Sequence, residues 1–307
     1  MRQVTQSAQT ISRSCYGGTD MDFVVFADGS ANLPEKWLKD ITLLPCEYTL
    51  DGNPVTYHGD VDRFDAHAYY DALRQGHQVQ TSLLNTQLFL THFRPVLEQE
   101  KDLIYVSMSS GISGTYYAAI AAAHELMEEF PARFIHIVDS HGCGFGNGIL
   151  AIHAAELMRE GKDAREAARI LDEEVPHVCQ YFTVDDLNFL KKTGRVSGVT
   201  AAIATILSIK PILFGDSTGH IVSCGKVRGR RKAIEGLAAK YREKRVERDS
   251  PRVFISHGDC LQDAKELETM ILEITPAASV TVCEHEPFSG AHVGPGMLGL
   301  FFLGKER

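Results

Sequence analysis

From Met21 onward, short β-branched and aromatic runs alternate with stretches of helical period, and this alternation constrains the fold more than any other feature. "DLIYVSM" precedes "TYYAAIAAAHELMEEF", and "RFIHIVDS" precedes "GILAIHAAELMREG", with Gly161 placed as a helix stop. Such repetition predicts an α/β domain, a parallel sheet with helices on both faces. Ligands of these sheets gather at the carboxyl ends of the strands. Three runs here, "VVFADGS", "IYVSMSS" and "FIHIVDS", end in hydroxyl or acidic residues. One convergent site is one reading; turn formation and helix capping, taken strand by strand, is the other.

After "KDAREAARILDEEVP" the order of elements becomes less regular, and "FGDSTGHIV" predicts a hairpin turning at Asp216–Gly219. The expected organisation is an N-terminal parallel-sheet domain over residues 22–165 and a C-terminal α+β domain over 166–307. Residues 1–21 are polar, lack the apolar stretch of a signal peptide and read as a loose extension, with Met21 as an alternative start.

Composition narrows the function classes. A net charge of −9 argues against a general nucleic-acid surface, and no apolar run approaches the ~18 residues that a membrane-spanning helix needs. The seven cysteines are odd in number and contain no Cys-x-x-Cys pair, which fits reduced thiols of a cytoplasmic protein better than a disulfide framework or a zinc site. No metal and no cofactor is expected.

"VSMSSGISGTYYAAI" joins a strand-like run to a helix-like one through glycines and hydroxyls. A helix entrance of this kind receives anions, but it lacks the Lys-Ser or Lys-Thr pair of a P-loop, so a smaller anion than a nucleotide triphosphate is expected. "SGISGT" also misses the Gly-x-Ser-x-Gly elbow of serine hydrolases. In "GAHVGPGMLG", His292 stands among glycines, as a ligand wall or as a satisfied histidine in a packing turn. "KVRGRRKAIEGL" clusters Arg228, Arg230 and Arg231 at a helix start, where cations oppose the helix dipole; it is a solvated face or a dock for an anionic partner. In "LKKTGRVSG", Gly194 reads as a glycine following the helix end.

Eight stretches stand in order between about Phe23 and Gly304: "DGS" 28–30, "TS" 81–82, "SSGISGT" 109–115, "VDS" 138–140, "LKKTGRVSG" 190–198, "KPIL" 210–213, "KVRGR" 226–230 and "GAHVGPG" 290–296. Together they resemble the DegV family, bacterial fatty-acid-binding proteins that include the carrier subunit of fatty acid kinase. The resemblance implies two domains with a fatty acid between them. It implies that Thr81, Ser109, Ser110 and His292 receive the carboxylate and that Ser30, Leu83, Leu84 and Arg195 form pocket wall. Gly29, where the family has Ser, and "TSLLN" depart from the pattern and would reshape that wall.

The implied role is that of a carrier and not an enzyme. Tail burial at ~0.8 kcal/mol per methylene, roughly 11 kcal/mol for about fourteen methylenes before ordering costs, would dominate affinity. The carboxylate would attack a γ-phosphate delivered by a separate ATP-dependent, dihydroxyacetone-kinase-like catalytic subunit, docked at Arg228, Arg230 and Arg231. A lipid-responsive binding protein without a kinase partner, or an acyl-ester hydrolase, are the alternatives.

Overall fold

The computed structural model describes residues 23–196 and 208–307. The expected extension 1–21 and Met21 lie outside the described residues, as does the end of the 190–198 motif. In chain order the first half carries strands β1 (Phe23–Asp28), β2 (Ile41–Leu44), β3 (Cys46–Leu50), β4 (Asn53–Tyr57), β5 (Val79–Thr81), β6 (Asp102–Ser107) and β7 (Ile135–Asp139). Its helices are α1 (Ala66–Arg74), α2 (Thr86–Leu97), α3 (Thr115–Glu129), α4 (Phe145–Arg159) and α5 (Ala164–Glu174). The second half carries β8 (Val178–Thr183), β9 (Ile209–Gly215), β10 (Ile221–Arg228), β11 (Arg252–His257), β12 (Ser279–Glu284) and β13 (Leu298–Leu303). Between them run α6 (Asn188–Thr193), α7 (Arg230–Lys244), α8 (Leu261–Ile274) and α9 (Pro287–Val293).

The expected parallel sheet forms in the order β2-β1-β6-β7, every pair parallel. Its strands are apolar on both faces, as parallel strands covered by helices must be. The second sheet is mixed, β10-β9-β8-β13-β11-β12, with only the β11–β12 pair parallel. A small antiparallel sheet, β4-β3-β5, is inserted between β2 and α2 and was not legible as a separate layer. Its terminal residue, Thr81, reaches the site.

Local chemistry explains the boundaries. Asn85 and Asp163 cap α2 and α5 by accepting from Leu88 N and Glu166 N, and Gly161 and Gly194 take φ of +79° and +68° just beyond α4 and α6. The predicted hairpin turns where expected: Asp216 Oδ1 accepts from the N–H groups of Thr218 and His220, and β9 pairs with β10. Among the described residues, no helix is long and apolar enough to cross a membrane.

The domain boundary expected between 165 and 166 needs correction, because it cuts α5. Ala164, Ala167, Ala168 and Leu171 of that helix share a core with Val25, Ile104 and Val138 of the first sheet, and the chain passes to the second sheet only at Val178. That core is shared further. It runs through α4, buried along nearly its whole length, to Phe182, Leu213, Phe254 and Phe301 of the second sheet. The two sheets are therefore packed as one body around α4, which holds the walls of the site in register.

Candidate functional site

The carboxyl ends of β6 and β7 converge on the hairpin between β9 and β10 and on α9, whereas the end of β1, Asp28 to Ser30, does not line the space they share. Between them lies a cavity of about 410 Å³. Leu83, Met108, Ile112, Phe182, Leu190, Ile221, Phe288, Val293, Met297 and Phe301 form its apolar lining. Thr81, Ser113, Arg195 and His292 supply polar groups, and Cys143, Gln180, His285 and Ser289 supply others.

Thr81 Oγ1 and His292 Nε2 share a hydrogen bond of 3.0 Å, across 211 residues of sequence. His292 Nδ1 is buried and has no hydrogen-bond partner among the described residues. Burial, with the Arg195 charge second, lowers the imidazole pKa to about 4, so the ring is neutral at pH 7. A neutral imidazole has one N–H and one acceptor nitrogen; if Thr81 donates to Nε2, the proton stands on Nδ1 as a buried donor.

The other expected residues divide. Leu83, half exposed, and Arg195 line the cavity. Leu84 does not: it is buried in the core under α2 and α3, with its N–H donating to Thr115 Oγ1. Ser30 is also absent from the lining, because its N–H and hydroxyl both donate to the buried Asp28 carboxylate, which also receives Tyr105 O–H and Met108 N–H. Ser109 is buried with its hydroxyl donating to Gly219 O at 2.8 Å and accepting from Gly111 N, and Ser110 N donates to Asp139 Oδ1. Neither lines the cavity. Ser113 of the same loop does, and it is the residue that the sequence reading passed over. The loop's hydroxyls serve chiefly as internal hydrogen-bond partners, which a pattern of Ser and Gly alone does not distinguish from an anion cradle.

The basic cluster also divides. Arg228, at the end of β10, is exposed and has no side-chain partner among the described residues. Arg231 is 80% exposed and only loosely paired with Glu235 and Glu266. Arg230 is different: it is 20% exposed and pairs with Asp263 at 2.8 Å and Asp185 at 3.5 Å. Its charge is compensated inside the chain, so the expectation of an uncompensated triplet needs correction at this residue.

A buried chain of polar groups sits behind α9, where the sequence reading found nothing. Ser256 Oγ lies 2.9 Å from His285 Nδ1, His285 Nε2 lies 2.9 Å from Ser289 Oγ, and Ser289 also bonds Glu286. By distance, Ser289 and His285 resemble a nucleophile and base. The chemistry differs: burial pulls His285 to about 3, too weak a base at neutral pH, and its second nitrogen meets a hydroxyl where a hydrolase places a carboxylate. Among the described residues, no three His, Cys, Asp or Glu side chains are grouped to hold a metal ion.

Two packed sheets enclosing a largely apolar cavity with a polar end define the structural class. The family model described as "Uncharacterised protein, DegV family" matches residues 22–305. A DegV domain-containing protein of Clostridium perfringens is 34% identical over 286 residues, covering 93% of this chain and 98% of that protein. The solved structure of DegV from Bacillus subtilis, described as a fatty acid binding protein, is 26% identical with a TM-score of 0.76, covering 93% and 100% of the two chains. A Thermus thermophilus DegV family protein, solved with fatty acid binding in its description, is 25% identical with a TM-score of 0.80, covering 92% and 100%. This chain belongs to the DegV family.

Proposed function

We propose that the cavity binds a long-chain fatty acid and presents its carboxylate to a separate ATP-dependent kinase for acyl-phosphate formation. The observation that carries this reading is the Thr81–His292 pair in the wall of a largely apolar 410 Å³ cavity, supported by relatives whose descriptions name fatty acid binding. Apolar area removed from water supplies affinity; hydrogen-bond donors orient one anionic end. His292, its ring held by Thr81, is the head-group donor of this wall; the hydroxyls of Ser109 and Ser113 donate to Gly219 O and Thr115 Oγ1, and Ser110 N–H to Asp139, within the fold. Arg195 adds positive potential at the same wall. The protein contributes a nucleophile held away from water and no catalytic group of its own. Arg228 and Arg231 are the docking charges, Arg230 being internally paired.

Delipidated protein incubated with hexadecanoic acid tests the reading by native mass spectrometry. A one-to-one complex that survives gas-phase transfer is expected, and absence of any adduct with hexadecanoic or octadecenoic acid removes the proposal. Adding ATP and a dihydroxyacetone-kinase-like subunit should then convert the bound acid to its acyl phosphate. A stable complex with no conversion would leave a lipid-responsive binding protein instead.

A further inference from the structure

Besides Thr81, Ser113, Arg195 and His292, the cavity wall carries a second polar group of residues that a saturated chain does not explain. Gln180, Cys143, Ser289 and His285 are contiguous: Cys143 N donates to Gln180 Oε1 at 3.4 Å, Cys143 interacts with the Ser289 side chain, and Ser289 meets His285. Gln180 and Ser289 are each 7% exposed. The Gln180 amide is also built into the fold. A Cβ added at Gly146 would come 2.5 Å from its Oε1, and one at Gly215 would collide with its Nε2, so the amide fills room that two glycines leave.

The hydrogen-bonding capacity of these groups is not used up. Gln180 Nε2 donates one hydrogen to His141 O at 2.6 Å, which leaves its second hydrogen over, and its oxygen accepts a single long bond. Ser289 donates to Glu286 and takes the His285 N–H, which leaves one lone pair with only the weakly donating Cys143 thiol beside it. A polymethylene chain lying here desolvates these atoms and returns nothing. A hydroxyl is the group that fits, because its O–H is a stronger donor to Ser289 Oγ than the Cys143 thiol while its oxygen accepts from Gln180 Nε2. Position follows from α9: Ser289 precedes His292 by three residues, about 4.5 Å along the axis and on the same face. The second polar group of residues therefore lies near the carboxylate donor.

We propose that this cavity selects an acyl chain carrying a hydroxyl close to its carboxyl end, held between Gln180 and Ser289. The proposal rests on the fatty-acid reading above and adds the substrate class. Full-length delipidated protein is incubated with an equimolar mixture of hexadecanoic and β-hydroxyhexadecanoic acids, with ω-hydroxyhexadecanoic acid as a positional control. Bound fractions are read by native mass spectrometry and affinities by displacement of a fluorescent fatty acid. The β-hydroxy acid should bind about 10-fold tighter than hexadecanoic acid, the scale of one well-placed hydrogen bond. The ω-hydroxy acid should show no such gain. Gln180→Met, which keeps side-chain length, and Ser289→Ala should each bring the ratio towards one. Equal or weaker binding of the β-hydroxy acid overturns this inference while leaving lipid binding intact, and means that water occupies the polar wall. Failure of all three acids to bind overturns the inference together with the fatty-acid reading.

Discussion

Glu286 opens α9 fully buried, its carboxylate receiving the N–H groups of Phe288 and Ser289 while Asn32 accepts from its own N–H. Burial, with the Asp28 charge adding, outweighs those hydrogen bonds and pushes its pKa to about 7 from 4.5. The folded state thus holds this proton to higher pH than the unfolded chain does. The stabilisation is full below about pH 4.5 and is lost as pH rises through 7, roughly 3 kcal/mol in all. Glu286→Gln keeps an acceptor and removes the titration, so its Tm relative to wild type should rise between pH 5 and 8; a constant gap would show that Glu286 does not titrate there. His292 acts in the other direction. Its folded pKa of about 4 lies below the ordinary 6.5, so its contribution is present above 6.5 and lost as pH falls toward 4. On the proposed reading, His292→Ala removes a bond worth ~1.5–3 kcal/mol to a charged head group, and Thr81→Val removes the hydroxyl that holds the ring. Kinase-dependent phosphorylation should fall sharply while native mass spectra still show bound lipid, because the tail supplies most of the affinity.

At the scale of elements, the loop before α3 acts as a latch between the sheets. Gly111 packs so closely on the β9–β10 turn that an added Cβ would stand 2.7 Å from Thr218 O, and Ser109 donates to Gly219 O beside it. Gly215, Gly219 and Ile221 of that hairpin also line the cavity, so the latch sets the cavity's width. Gly111→Ala should cost about 1–3 kcal/mol through overpacking, and Ser109→Ala a similar amount by stranding a buried carbonyl. Thermal unfolding should shift downward by several degrees in each, with weakened fatty-acid retention. Lower Tm with unchanged retention would mean that the hairpin's position does not govern the cavity. The legible and illegible parts of this site separate here. His292 stood out as an imidazole among glycines and Thr81 through the family resemblance, whereas Ser109, Ser110 and Ser113 are chemically alike and differ only in which acceptor the folded loop sets beside them.

Over the whole molecule, net charge is −9, and complementary patches on such a chain mainly steer encounter and weaken with salt. Arg228 and Arg231 are free to act in this way. Arg228→Glu should leave bound lipid in place, slow acyl-phosphate formation and flatten its dependence on ionic strength. Arg230→Ala should instead lower stability by about 1–2 kcal/mol, since it strips Asp263 of its 2.8 Å partner. Loss of lipid from the Arg228 variant with kinase association intact would move that residue from the docking surface to the pocket or the fold.

The parallel sheet, its flanking helices, the Asp216–Gly219 hairpin and the caps at Gly161 and Gly194 were determined by the sequence alone, because periodicity, turn residues and positive-φ glycines act within a few positions of each other. The ordered motifs identified the family for the same reason. Tertiary structure decided the rest. α5 belongs to the first sheet because its alanines fit that core, Arg230 is compensated because Asp185 and Asp263 fold against it, and Ser256, His285, Ser289 and Glu286 become one buried chain only when β11 meets α9. Contacts of this kind are non-local, and a residue's donor or acceptor role is set by whichever partner packing brings within about 3 Å.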